Sequence, residues 1–292
     1  MQCDGSRPTI APSVAPLARL TPVNQIDLKS AQVGLIGVGN MGEALLVALL
    51  KAGAAASHIN FAVRRAERSA EIKERYGITP ASIEEMATKS DVLMIIVKPQ
   101  DLETIMERVA PTLKSGALVI SFLAGKKIAT LESGLGQPAV ARVMPNTPTL
   151  LGVGMAIVSF GSAVRPDQRN FVNDLLAAAG KSIEVEEPLQ DAATATSGSG
   201  PAYFFAFVEA MVAGAMDMGI DEATATALVI QTIVGAAKML DESGKSATTL
   251  RENVTSPKGV TYEGLKVLGE GDLQGLVVRA MNAAADRSRA MA

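Results

Sequence analysis

The pattern of apolar residues predicts an α/β domain followed by an all-α domain, and three observations carry that reading. From residue 31 to residue 187, short β-rich runs alternate with helical stretches. The runs are almost continuously apolar, as strands of a parallel sheet covered on both faces are. From residue 188 to 292 the strand signals cease and helical periodicity continues to the end.

Each element follows in chain order. Residues 1–30 hold four prolines and no sustained periodicity, so an irregular, disordered tail is expected there. They lack the apolar core of a secretory signal and are poorer in Arg and Ser than a transit peptide. Strands are expected at Val33–Ile36, Ile59–Val63, Val92–Val97, Leu118–Phe122, Val140–Met144 and Met155–Phe160, then a helix over Pro166–Ala179 and a last strand at Ile183–Val185. The second domain reads as helices near 190–196, 201–218, 221–242, 247–253, 259–268 and 272–290. Phe204–Met216 and Ala225–Leu240 are apolar on most faces, the pattern of helices buried on all sides. Ala206, Ala210 and Gly214 recur at i, i+4, i+8, which lets another backbone approach closely. So short a domain cannot cover that surface alone, so a second subunit is expected to supply part of the cover.

Composition narrows the function. With 48% hydrophobic and 20% charged residues the chain is globular, and its apolar stretches have the length and interruptions of buried helices rather than membrane spans. A net charge of −3 and 3% aromatic residues argue against nucleic acid and anionic membranes as partners. The single cysteine, Cys3, excludes a disulfide framework and fits a reducing, cytoplasmic setting. The only histidine, His58, precedes the second strand on the side away from any reaction, so a histidine acid/base is not expected and a histidine metal site is excluded.

The first strand runs directly into Gly37-x-Gly39-Asn40-Met41-Gly42 and a helix that stops at Gly53. In this strand–turn–helix context Gly37 permits the tight turn, Gly39 lets a pyrophosphate approach the backbone, and Gly42 lets helix and strand pack closely. The phosphates would rest on the helix's free N–H groups, which makes this a Rossmann-type dinucleotide-binding domain. At the end of the second strand, where NAD enzymes place an acidic residue, the chain has Arg64 and Arg65. Guanidinium groups bind a 2′-phosphate that a carboxylate would repel, so NADP is favoured over NAD, unless both arginines only begin a solvated surface helix. The turn Val97-Lys98-Pro99-Gln100 and the segment Arg142–Pro148 both end strands where the nicotinamide half should lie, and Asn146 and Thr147 offer it polar groups. Lys98 reads equally well as a solvated loop lysine.

Two helical-domain segments are rich in small polar residues: Ser197-Gly198-Ser199-Gly200 before a helix expected to start at Pro201, and Ser256-Pro257-Lys258-Gly259-Val260-Thr261 before another. Each offers N–H groups and hydroxyls suited to a small carboxylate, and each also reads as ordinary capping. There is no Lys-x-x-x-Asn of the β-hydroxyacid dehydrogenases, and the Tyr262-x-x-x-Lys266 pair lies far from the sheet where short-chain dehydrogenases use it.

Taken in order and spacing, GxGxMG, VKPQ, RVMPNTP, SGSGPAYFFAFVEAM and TSPKGVTYEGL resemble the motifs of pyrroline-5-carboxylate reductases across nearly all of residues 31–290. The resemblance implies hydride transfer from NAD(P)H to the imine carbon of 1-pyrroline-5-carboxylate, giving proline. It also implies a helical domain interlocked with a partner's, and rings of dimers in many members. By the same resemblance Thr261 hydrogen-bonds the substrate, with Ser199, Ser256, Lys258, Gly259 and Val260 around it. The family commonly reads SPGGTT, so Lys258 and Val260 depart from its form. Two rivals are another imine or ketone reductase of the same architecture and a catalytically dead NADP-binding sensor.

Overall fold

The computed structural model describes residues 26–136 and 139–291. Cys3 and most of the expected tail lie outside them. Residues 26–30, also assigned to that tail, instead close a turn against the first domain: the Ile26 N–H donates to the Asp167 carboxylate at 2.8 Å and the Leu28 side chain is buried.

The elements run β1 (Val33–Ile36), α1 (Asn40–Lys51), β2 (Ile59–Ala62), α2 (Ala66–Tyr76), β3 (Thr79–Pro80), α3 (Ile83–Lys89), β4 (Val92–Ile95), α4 (Leu102–Val109), β5 (Leu118–Ser121), α5 (Ile128–Leu135), β6 (Val140–Pro145), β7 (Gly154–Phe160), α6 (Pro166–Ala179) and β8 (Gly180–Glu184). The strands form one sheet in the order β3-β2-β1-β4-β5-β6-β7-β8. Adjacent residues of β1 serve opposite faces. Val33 and Leu35 join Leu45, Leu49, Phe61 and Phe171 on the side of α1 and α6, while Ile36 joins Leu93, Ile105 and Leu131 on the side of α3 to α5. With both faces covered, the strands can be apolar throughout, which is the pattern read in the sequence.

The expectation of a parallel sheet needs one correction: β6 pairs with β7 antiparallel, so β7 and β8 run opposite to the rest. The connection from residue 146 to 153 explains the reversal, because it is a short helical turn and a parallel return needs a crossover of about a dozen residues or more. The short edge strand β3 has no signal in the sequence and pairs with β2 through two residues only.

The rest is helical: α7 (Gln190–Ala193), α8 (Gly200–Asp217), α9 (Glu222–Glu242), α10 (Ala247–Asn253), α11 (Val260–Glu270) and α12 (Leu273–Arg289). The helices α8 and α9 pack as a hairpin, and α12 returns to pack on α7. Within the single chain the expected burial of α8 and α9 on all sides does not occur. Phe204, Phe205, Met218, Leu228 and Val234 are exposed, and nothing approaches within 4 Å of where a Cβ on Gly214 would stand.

Candidate active site

In an open sheet the crevice lies beyond the carboxyl ends of the strands where the order reverses, here between β1 and β4. The turn leaving β1 is tied to both neighbouring strands. The Gly37 N–H donates to the Ala62 carbonyl at the end of β2 at 2.9 Å, and the Ile96 N–H, just after β4, donates to the Ile36 carbonyl at 2.8 Å. Gly37 has φ +96°, and a Cβ there would strike the Ile96 carbonyl. A Cβ on Gly42 would strike the Gly37 carbonyl, so only glycine lets α1 begin so close to the turn. Gly39 differs from both: it is exposed, its backbone is extended at φ −81°, and nothing lies within 4 Å of a Cβ position. No side chain caps α1, which leaves the first-turn N–H groups of Asn40, Met41 and Gly42 without intrahelical partners. The result is a bare, positively polarised cradle that an anion can enter and a side chain would fill.

Around it, Arg64 is exposed and only loosely paired, its guanidinium 3.6 Å from Asp101. Arg65 is exposed at the start of α2. Val97 lies against Gly37, and Lys98, which is exposed, leads into a one-turn helix that begins at Pro99.

Asn146, at the end of β6, joins the two parts of the chain. Its Oδ1 accepts from the Met155 N–H at 2.9 Å and its Nδ2 donates to the Ser197 carbonyl at 3.1 Å. Ser197 needs that donor. Pro201, four residues on, has no N–H to give. The expected start of α8 at Pro201 is met within one residue, at Gly200, but it is not a free helix end: Glu187–Asp217 run on as one helical stretch in which residues 194–198 form a π-turn, closed by the Ser199 N–H to Thr194 at 2.9 Å. The N–H of Ser199 is therefore spent inside the helix. Single π-turns of this kind recur at functional sites. Beside it opens a cleft of about 410 Å³, lined by Asn146, Pro148, Ser197, Pro201, Phe204 and Phe205 among others.

The other polar motif lies on an exposed arm. Ser256–Gly259 form a turn closed by the Gly259 N–H to Ser256 at 3.0 Å, with Pro257 second and Lys258 third at φ +58°. That is the type II position glycine prefers, so the lysine sits in the left-handed region where the family commonly has glycine. Gly259 begins α11 without a side-chain cap, and the Thr261 hydroxyl is exposed and is no helix cap. Helix α11 packs on α12, and Ser256–Thr261 are exposed within one chain except for the half-buried Gly259.

Sequence reasoning missed the charged groups that join the parts. Arg142 on β6 is nearly fully buried, with its guanidinium 3.3 Å from both Glu187 and Asp191. Glu187 also accepts from the Ile128 N–H at 2.7 Å, and Asp191 from the Ser288 hydroxyl of α12 at 2.7 Å. Gln190 donates to the Arg142 carbonyl and to Ser159. These partners stand 31 to 97 residues apart, and no local pattern links them.

A glycine cradle at the switch point of a mostly parallel sheet, with a cleft between the loop after β6 and a helical arm that has uncovered apolar faces, defines a two-domain dinucleotide-dependent oxidoreductase. Comparison with known proteins gives the family. Residues 187–291 match the pyrroline-5-carboxylate reductase dimerisation family, and residues 32–125 match the NADP oxidoreductase, coenzyme F420-dependent family. The chain is 38% identical over 262 residues to the pyrroline-5-carboxylate reductase of Corynebacterium melassecola, covering 88% of this chain and 97% of that protein. Among solved structures it matches that of Coxiella burnetii (TM-score 0.84, 32% identity, 90% and 99% of the two chains). It also matches the Plasmodium falciparum enzyme with NADP bound (TM-score 0.80, 30% identity, 90% and 98%). The chain belongs to the pyrroline-5-carboxylate reductase family.

Proposed function

We propose that this chain reduces 1-pyrroline-5-carboxylate to L-proline, the last step of proline biosynthesis, with NADPH preferred over NADH. The observation that carries the reading is the match to a named reductase at 38% identity over almost the whole of both chains. The bare Gly37–Gly42 cradle fits a pyrophosphate, and the exposed Arg64 and Arg65 fit a 2′-phosphate. Val97, Lys98, Pro99 and Asn146 then border the nicotinamide half. When bound, the reduced nicotinamide supplies a hydride for the imine carbon of the substrate.

The chain's own residues have modest chemistry to perform. A cyclic imine is basic enough to bind as an iminium, already activated, so no histidine is required. Ser256, Gly259, Val260 and Thr261 offer two hydroxyls and the uncapped first-turn N–H groups of α11 to the substrate carboxylate and ring nitrogen. The Lys258 ammonium adds a positive charge on the same turn, and Ser199 stands near the cleft beside Asn146. Holding the ring against the nicotinamide and excluding water completes the task.

We assign the uncovered faces of α8 and α9 to a second copy of the chain, in keeping with the dimerisation family that residues 187–291 match. Both helices are long and apolar enough to cross a membrane, but a partner arm covers the same surface in a soluble, cytoplasmic protein. Such a partner also brings an outward-facing Ser256–Thr261 turn to the cleft beside Asn146, and rings of dimers follow if a second contact closes. Residues 31–187 and 188–292 are the corresponding domains.

The test is a fall in NADPH absorbance on addition of 1-pyrroline-5-carboxylate, with proline as product. Reduction of a six-membered imine or a ketone with no activity on the five-membered imino acid would overturn the substrate assignment. Tight NADPH binding with no turnover of any imine would favour a sensor.

A further inference from the structure

Beneath the glycine turn lies a cluster of charges that neither phosphate binding nor substrate binding uses. Glu43 stands in the first turn of α1, the end that holds an anion in the function proposed above. A free carboxylate there opposes that anion by simple repulsion. It is not free. Arg68 of α2 forms an ion pair with one of its oxygens, while Arg75 and the Tyr76 hydroxyl each reach the other at 2.6 Å. Arg68 also donates from Nε to the Val38 carbonyl at 3.1 Å, between Gly37 and Gly39, and lies 2.8 Å from Glu71. Its side chain is only 14% exposed. Burial works to raise the Glu43 carboxyl, but the hydrogen bonds from Tyr76 and Arg68 outweigh it and hold the group below its usual range, ionised at neutral pH.

The geometry points to Arg68 as a positioning residue of the cofactor site: it fixes the carbonyl at the centre of the glycine turn and cancels a carboxylate that would otherwise face the phosphates. Each of its three guanidinium nitrogens already has a partner, in Val38, Glu43 and Glu71, so no pair of them is left free to grip the 2′-phosphate that distinguishes the two cofactors. Three arginines within five residues thus divide the work. Arg64 and Arg65 read the extra phosphate, and Arg68 serves the pyrophosphate that both cofactors share.

The inference rests on the cradle being the cofactor site, and the test separates the two. Dissociation constants for NADPH and NADH, read from nicotinamide fluorescence, are measured for wild type, Arg68→Met, Glu43→Gln and the double variant, with thermal melts beside them. Arg68→Met is expected to weaken both cofactors about tenfold and by the same factor, the scale of one hydrogen bond to a charged group. Adding Glu43→Gln should recover about threefold of that, because the unopposed carboxylate is gone. Should Arg68→Met not fold, Arg68→Lys takes its place, keeping the charge without the fork and weakening both cofactors equally but less. A loss fivefold or more greater for NADPH than for NADH would make Arg68 a reader of the 2′-phosphate and overturn the inference. So would a lowered melting temperature with both constants unchanged. Wild-type protein that binds neither cofactor would instead overturn the cradle itself.

Discussion

Gly39→Val separates the ligand from the fold, because the structure assigns this glycine no folding role. Its backbone is extended, which any residue adopts, and no atom stands within 4 Å of the new Cβ. Folding stability should therefore change by less than about 1 kcal/mol, and losing a glycine's freedom in the unfolded chain offsets part of any loss. For a domain of this size that is roughly 2–4 °C in Tm. Binding should respond very differently. A branched side chain in the open cradle holds the pyrophosphate away from the first-turn N–H groups, and one lost hydrogen bond to a charged group is worth about 1.5–3 kcal/mol. The Kd for NADPH should rise about ten- to a hundredfold, and NADH should follow equally. Gly42→Ala is the control: its Cβ meets the Gly37 carbonyl, which is backbone and cannot rotate aside, so stability should fall by about 1–3 kcal/mol along with affinity. Fluorescence titration and thermal melts of the two variants read both quantities. A folded Gly39→Val protein with wild-type NADPH affinity would refute the cradle as the pyrophosphate site.

Thr261→Ala should lower kcat/KM for the imino acid about ten- to a few hundred-fold with NADPH affinity and Tm unchanged, and Thr261→Ser should recover most of it; an effect within about twofold would move the substrate contact to the backbone or to Lys258. Arg64→Ala with Arg65→Ala should raise KM for NADPH far more than for NADH, and equal effects would make both arginines surface residues. Ala210→Glu lies on a face that is open in the single chain, so a monomer should tolerate it. In a dimer the same charge is buried without a partner, which costs several kcal/mol, and light scattering should show aggregated or dissociated protein. A wild-type dimer after that change would place the interface elsewhere.

The sheet and its helices were legible because each local pattern agreed with its tertiary setting. Val33–Ile36 is buried at every position because both faces of its sheet are covered, and Gly37 and Gly42 stand where the turn leaves no room for a side chain. The reversal of β7 was within reach, since the stretch from 146 to 153 has no room for a crossover helix. Residues 194–201 misled for a physical reason. Serines and glycines before a proline usually begin a helix, and here the missing donor at Pro201 is replaced by Asn146 from a strand some fifty residues earlier. Arg68 and Glu43 have no local signal, because only the packing of α2 beside α1 makes them neighbours.

The buried guanidinium of Arg142 has a consequence for how members of this family can be recombined. Its carboxylates come from Glu187 and Asp191, and Asp191 is held in turn by Ser288, three residues before the last one described. A Cβ on Gly125, in the loop after β5, would collide with Met291 and the Ser288 carbonyl. The end of α12 is thus part of the footing of the first domain. A chimera that grafts a foreign helical arm at residue 187 inherits Arg142 but not its acids, and an uncompensated buried charge costs about 3–5 kcal/mol. Crossovers that keep Arg142, Glu187, Asp191, Ser288 and Gly125 from one parent should fold, and those that divide the set should not.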